Sequence, residues 1–277
     1  MQITVAIDNN VPFHSRLPLV AEHGVAFLID TGSERILYDT GQTGAVVGNL
    51  VTLGIAPTSI DAIALSHGHY DHTGGLRAVL QKTRPDVTVF VHPAAFADRV
   101  SVSGQERRPI GVPFARGTLM ATGGRWHLCD APAMIAPGVW FSGGIPRVTP
   151  FETGDARLKL ASEAGDLPDP LADDTVLYLE TAGGLVVVGG CTHSGLVNAV
   201  RHGFTVTGLA RLRGWVGGTH LGPVGTEQQE RTIEQLAAWE PEFVAANHCT
   251  GFAMMSRLRE RFGSRFIAAF TGERLEV

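Results

Sequence analysis

The 277-residue sequence is short of cysteine, of charge and of long apolar runs, and each shortage excludes something. Three cysteines, Cys129, Cys191 and Cys249, are too few and odd in number for a disulfide framework, so a reducing compartment is expected. Charged residues make up only 18% of the chain and the formal net charge is -5. The densest basic patches are Arg107-Arg108 and the Arg257/Arg259/Arg261 cluster, which argues against a nucleic-acid-binding face. No uninterrupted apolar run reaches the length of a membrane span. The opening MQITVAIDNN lacks the basic and apolar parts of a secretory signal, so a cytoplasmic protein with no membrane partner is expected.

What is present is apolar residue for a sizeable core, 44% of the chain, and 34 glycines for tight turns. No linker or low-complexity tract divides the sequence, and residues 1–277 read as one domain with loop excursions near 100–125 and 152–174. Apolar runs at 24–30 and 34–39 flank Thr31-Gly32-Ser33 and read as a hairpin. Residues 44–55 have helical spacing, 60–65 form a buried strand, and 73–83 read as a helix with Thr73 as its N-cap. Strands are expected at 87–91, 126–128, 139–142, 175–180 and 185–190. GWVGG and EFVAAN add two more, with helices at 195–202, 226–239 and 252–263. Strands pairing within each half, with helices between and after them, predict an α+β, four-layer αββα sandwich.

The strongest chemical signal is SHGHYDHTGG, residues 66–75, which follows the 60–65 strand at once. His67, His69, Asp71 and His72 fall within six residues. A strand end fixes the direction of the chain, so the loop beyond it can aim imidazoles and a carboxylate into one space. Those ligands suit zinc first, and iron or manganese as alternatives. Gly68 and the Gly74-Gly75 pair are expected to give the loop conformational freedom.

Three further apolar runs end in histidine: VVVGGCTHSG at His193, GWVGGTHLG at His220 and FVAANHCTG at His248. If the strands of two packed sheets run alike, their ends gather at one edge. His193 and His248 are therefore candidate ligands, and His220 a candidate ligand or active-site residue. His92 also ends a strand but precedes Pro93, and packing is the preferred reading. Asp30 and Asp39 each precede Thr-Gly at a strand end, and turn capping is favoured over catalysis for both. Asp174 is equally ambiguous. The two DTG tripeptides belong to one hairpin, which argues against a protease dyad.

HGHYDH matches the H-x-H-x-D-H signature, and the chain resembles the metallo-β-lactamase superfamily. AEHGVAFLI, ILYDTGQTG, LSHGHYDHTGGL, GGIPR, GLVVVGGCTHSGLVN, GGTHL and HCTG, in that order, resemble the 7,8-dihydropterin-6-methyl-4-(β-D-ribofuranosyl)aminobenzene-5'-phosphate synthase-like subfamily. The resemblance implies a metal site at the sandwich edge. It implies His67, His69 and His193 around one ion, and Asp71, His72 and His248 around the other. The sequence departs from the superfamily where a bridging aspartate is usual: Gly-Cys-Thr-His stands there, so Cys191 or His193 takes that position and one or two ions are open.

The leading reading is a metal-dependent hydrolase or synthase-like transferase for a small phosphorylated or pyrophosphorylated metabolite, using a metal-activated water or a metal-held leaving group. Asp71 is the candidate for proton transfer as well as ligation. Arg147 of GGIPR is a candidate phosphate contact, and the helix starts after Ser194 and Thr250 are candidate phosphate cradles. The alternatives are a thioester or lactone hydrolase and a non-catalytic metal sensor, which a closed coordination shell would mark.

Overall fold

The computed structural model describes residues 1–277. The chain opens with β1 (Gln2–Ile7), β2 (Ala26–Asp30) and β3 (Arg35–Tyr38), then α1 (Ala45–Thr52) and β4 (Ala62–Ala64). Two short helices, α2 (Tyr70–Thr73) and α3 (Leu76–Leu80), lead to β5 (Thr88–Val91). Next come β6 (Arg99–Ser103), β7 (Glu106–Pro109), α4 (Arg116–Thr122), β8 (Arg125–Leu128), β9 (Ala133–Ala136) and β10 (Val139–Phe141). After β11 (Leu158–Leu160) and β12 (Leu167–Pro168), the last third runs β13 (Val176–Thr181), β14 (Gly184–Gly189), α5 (Leu196–Thr207), β15 (Leu212–Gly217) and α6 (Thr226–Ala238). It ends with β16 (Phe243–Ala246), α7 (Gly251–Phe262), β17 (Phe266–Ala268) and β18 (Arg274–Glu276).

Two seven-stranded sheets carry the fold, in the orders β18-β1-β2-β3-β4-β5-β8 and β17-β16-β15-β14-β13-β10-β9. Strand alternation shows how they stack. Val186 and Val188 of β14 join Leu177 and Leu179 of β13 in a core shared with Phe27, Ile29, Ile36 and Tyr38 of the other sheet. The intervening Leu185 and Val187 face the opposite way, against α5, α6 and α7. Ala26 and Leu28 of β2 likewise turn outward to Val46 and Leu50 of α1. The layers are therefore helix, sheet, sheet, helix, as the element order predicts. Helix α6 meets its sheet through Gln228, Thr232, Ile233, Leu236 and Ala237, a single stripe at helical spacing. No helix is long and apolar enough to cross a membrane.

Trp215 on β15 is fully buried in the helix-facing core. Trp215→Ala is expected to cost about 3–5 kcal/mol, read as a lower urea midpoint at unchanged slope; a loss under about 1 kcal/mol would mean that this layer repacks freely.

Three expectations need correction. The stretches 100–125 and 152–174 are not wholly irregular, although most of 152–174 is loop. They supply α4 and a third sheet, β12-β11-β6-β7, in which β11 pairs antiparallel with β6. Thr73 does not cap a helix: α2 starts after His69, and the Thr73 hydroxyl donates to the His69 carbonyl at 2.8 Å. Gly68, Gly74 and Gly75 supply room, not unusual dihedrals. None has positive φ, and a Cβ on each would collide with the carbonyl oxygen of Ala95, Gln42 or Thr40, respectively.

Candidate metal centre

Strand direction gathers the polar residues. Strands β3, β4 and β5 run parallel in one sheet, and β14, β15 and β16 run parallel in the other. The loops leaving β3 and β4 carry Asp39 and the 66–75 motif; those leaving β14, β15 and β16 carry His193, His220 and His248. Asp39, Thr192, His220 and His248 account for four of the six non-glycine residues with positive φ. Strained backbone is thus concentrated where these strands stop, a placement that surrounding structure must enforce.

Five overlapping trios of donor atoms form there, and two of them together hold all six expected ligands. In the first, His67 Nε2 lies 2.9 Å from His69 Nδ1 and 3.3 Å from His193 Nε2. In the second, Asp71 Oδ2 lies 3.7 Å from His72 Nε2 and 3.4 Å from His248 Nε2. Two ligands each about 2.1 Å from a tetrahedral ion stand roughly 3.4 Å apart, so both trios fit a metal. Between them sits the buried Cys191, its Sγ 3.2 Å from His72 Nε2 and 3.3 Å from His248 Nε2. Of the two residues open for the bridging position, Cys191 lies between the trios and His193 lies within the first.

Protonation favours the same reading. Burial holds His67, His69, His193 and His248 well below the ordinary imidazole range, so all four present neutral rings, the form that binds metal. Burial lowers His72 too, but the Asp39 and Asp71 carboxylates outweigh it and raise this ring to about 9. A cation in the trio would take the place of that proton on Nε2, with Asp71 beside it and Asp39 behind the ring.

Partners behind the rings fix which nitrogen faces inward. Asp39, fully buried, accepts from the Ser66 backbone N–H, the Ser66 hydroxyl and His72 Nδ1, each at 2.7 Å. The Ser66 hydroxyl spends its only proton on Asp39, so its oxygen accepts from His67 Nδ1 at 2.8 Å. Asn9 Oδ1 accepts from His248 Nδ1 at 3.0 Å. Each arrangement leaves Nε2 free toward its trio. Asp174 accepts from the backbone N–H groups of His193 and Ser194, at 3.0 and 2.7 Å, and pins that loop. Asp173 bonds Gly68 N–H at 2.8 Å and Arg99 at 2.6 Å, which joins the motif loop to β6 of the third sheet.

Other residues complete the picture. His220 packs on His193 with ring centres 4.1 Å apart, beside Asp155 and Cys249; it lies outside both trios but groups with Cys191 and His193 as a further set of three donors. Cys249 and His23 had no functional signal in sequence. Cys249 Sγ accepts from His220 N–H at 3.3 Å, and half-exposed His23 reaches Asp71 Oδ2 at 3.3 Å. Arg147 lies elsewhere: it clamps the backbone carbonyls of His193 and Glu152 from outside and lines a different cavity. The start of α5 is not free for phosphate either. Buried Glu152 accepts from Val197 and Asn198 N–H there, at 2.8 Å each. Helix α7, after Thr250, has no side-chain cap.

A cavity of about 230 Å³ opens over the cluster, with His69, Asp71, Cys191, His193 and His248 in its lining. The family model for the metallo-beta-lactamase superfamily matches residues 19–204. The chain is 30% identical to the 7,8-dihydropterin-6-methyl-4-(beta-D-ribofuranosyl)-aminobenzene-5'-phosphate synthase of Methanocaldococcus jannaschii, over 92% of this chain and 90% of that one. An uncharacterized protein of the same organism is 28% identical, over 93% and 94% of the two chains. The crystal structure of Tm1679, a metal-dependent hydrolase of the beta-lactamase superfamily, superposes with a TM-score of 0.84 at 23% identity, over 100% of this chain and 99% of that one. Fold, donor geometry and sequence relationship agree: the chain belongs to the metallo-β-lactamase superfamily.

Proposed function

We propose that this protein is a metal-dependent enzyme for a small phosphate-bearing substrate, with His67, His69 and His193 holding one ion and Asp71, His72 and His248 a second. Cys191 serves the second ion on the side facing the first. The observation that carries this reading is that both trios converge at the floor of one open cavity. A metal site kept only for structure is closed by protein on every side, whereas a catalytic one keeps an open position. Mixed nitrogen, oxygen and sulfur donors favour zinc. When bound, such ions supply Lewis-acid activation of water and of a phosphoryl oxygen.

The chain's own residues hold the site ready for that chemistry. Asp39, Ser66 and Asn9 fix ring orientation, and Asp174 fixes the His193 loop. Asp71 offers a carboxylate at the cavity wall for proton transfer as well as ligation. The phosphate part of the reading is supported by the name of the Methanocaldococcus relative. It leaves cleavage and group transfer as two uses of one site.

The test is turnover of bis(p-nitrophenyl) phosphate and, in parallel, p-nitrophenyl acetate, by protein loaded with zinc, stripped with chelator, and reloaded. Phosphodiester cleavage that disappears on stripping and returns on reloading is expected. Ester cleavage alone by fully loaded protein would move the protein to the carbonyl hydrolases, and failure to take up metal would end the enzyme reading.

A further inference from the structure

Two arginines line the cavity over the metal trios, Arg108 and Arg157, and their situations differ. Arg157 is committed, with Nε and Nη2 bonded to both carboxylate oxygens of Asp155 at 2.6 to 3.1 Å. The neighbouring Arg107 is committed as well, bonded to both oxygens of Asp166 at 2.7 and 3.0 Å. Arg108 is exposed and forms no salt bridge; its partner is the neutral Tyr70 hydroxyl, 3.2 Å from Nη1. Its guanidinium carbon stands 5.6 Å from the Tyr70 ring centre.

Strand alternation explains the contrast. Arg108 and Ile110 face the metal cavity, while Arg107, Pro109 and Gly111 line the neighbouring cavity on the other side of the β7 segment. A guanidinium carries five N–H donors in a planar fork, and Tyr70 engages one side of it. The remaining donors and an unneutralised charge face the space above the trios. That combination suits a group that presents two anionic oxygens to one edge of the fork, as a phosphoryl group does. Tyr70 lies between the donors His69 and Asp71 in sequence, so the fork is braced against the motif itself.

We propose that Arg108 is the specificity-determining residue of this site. It grips a second phosphate of the substrate, remote from the reacting bond, while the reacting end lies at the metal trios. The substrate class is therefore a small metabolite with two separated phosphoryl groups. This rests on the phosphate reading above.

The test uses calorimetric titration of zinc-loaded protein with propyl phosphate and with the bisphosphates of ethane-1,2-diol, propane-1,3-diol and butane-1,4-diol. The monophosphate reaches only the metals, and the bisphosphates differ in reach. In the parent protein, the bisphosphate of matching length should bind about ten- to a hundredfold tighter than propyl phosphate, the range for a charge-assisted hydrogen-bond pair. Arg108→Ala should abolish that advantage and leave propyl phosphate within about twofold. Arg108→Lys should recover part of it, since an ammonium restores charge without the fork. Absence of a bisphosphate advantage in the parent, or its survival in Arg108→Ala, overturns the assignment and leaves the phosphate reading intact. Loss of propyl phosphate binding in Arg108→Ala to the same degree also overturns it, because Arg108 would then act at the metal end. If the zinc-loaded parent binds none of the four, the phosphate reading itself falls and this proposal with it.

Discussion

His67→Ala and His248→Ala are each expected to lose about one equivalent of bound metal and at least a thousandfold in kcat. Each substitution removes one donor from one trio and leaves the other trio complete. In His67→Ala the surviving pair, His69 with His193, lacks the three protein ligands typical of catalytic zinc; in His248→Ala, Asp71, His72 and Cys191 remain, one donor short of the set proposed above. Lewis-acid stabilisation is worth several kcal/mol, and each 1.36 kcal/mol is tenfold in rate, which gives the thousandfold floor of about 4 kcal/mol. Elemental analysis and turnover measured on the same samples check it, with circular dichroism to confirm folding. If both variants kept two equivalents and full turnover, the trios would not be the metal site. If one variant lost all metal, the two ions would bind as a unit and the division into trios would be wrong.

Asp39→Asn should weaken metal binding at the second trio about ten- to a hundredfold, the range for losing a carboxylate behind a ligating histidine. The side chain keeps its shape, but one acceptor oxygen becomes a donor NH₂. That group would face Ser66 N–H, the Ser66 hydroxyl or His72 Nδ1–H, all of which need an acceptor. His72 can restore its bond only by moving its proton to Nε2, the nitrogen aimed at Asp71 and Cys191. Competition with a chromophoric chelator measures the loss. Asp39→Ala adds a stability cost, about 1–3 kcal/mol for each buried donor left bare. Wild-type metal affinity in Asp39→Asn would reduce Asp39 to the turn cap that its DTG setting suggests.

That contrast shows where sequence reading works and where it stops. The fold was legible because continuous apolar runs such as LVVVGG and the helical stripe of α6 are local patterns, and local patterns decide layers. The 66–75 motif was legible because four potential ligands crowd one strand end. Asp39 was hidden because an aspartate before Thr-Gly looks the same whether its carboxylate caps a turn or orients a ring 33 residues away. Asp8 and Asn9, which bond the His248 backbone and ring, were hidden in a polar string some 240 residues distant. The third sheet was unreadable because its pairings join residues 99–101 to 158–160 through short, polar segments. One of its strands, ERRP, is exposed throughout, so no buried face imposes alternation. Arg147 and Arg108 could not be ranked for the same reason: which arginine faces the cavity depends on β7, a strand that forms only in the tertiary structure.

The pairing of β1 with β18 has a consequence for biosynthesis. Gln2, Ile3 and Thr4 are in register with Glu276, Leu275 and Arg274, so β1 receives its outer neighbour from β18, some 270 residues later. At about 5–20 residues per second, a ribosome takes roughly ten to fifty seconds to span that interval. Throughout it, the β1 edge of a nascent sheet stands open, a template for any other strand. The first sheet is complete only after β18 has been synthesised, so emergence of β18, and not emergence of the 66–75 motif, sets the earliest moment at which that sheet can close.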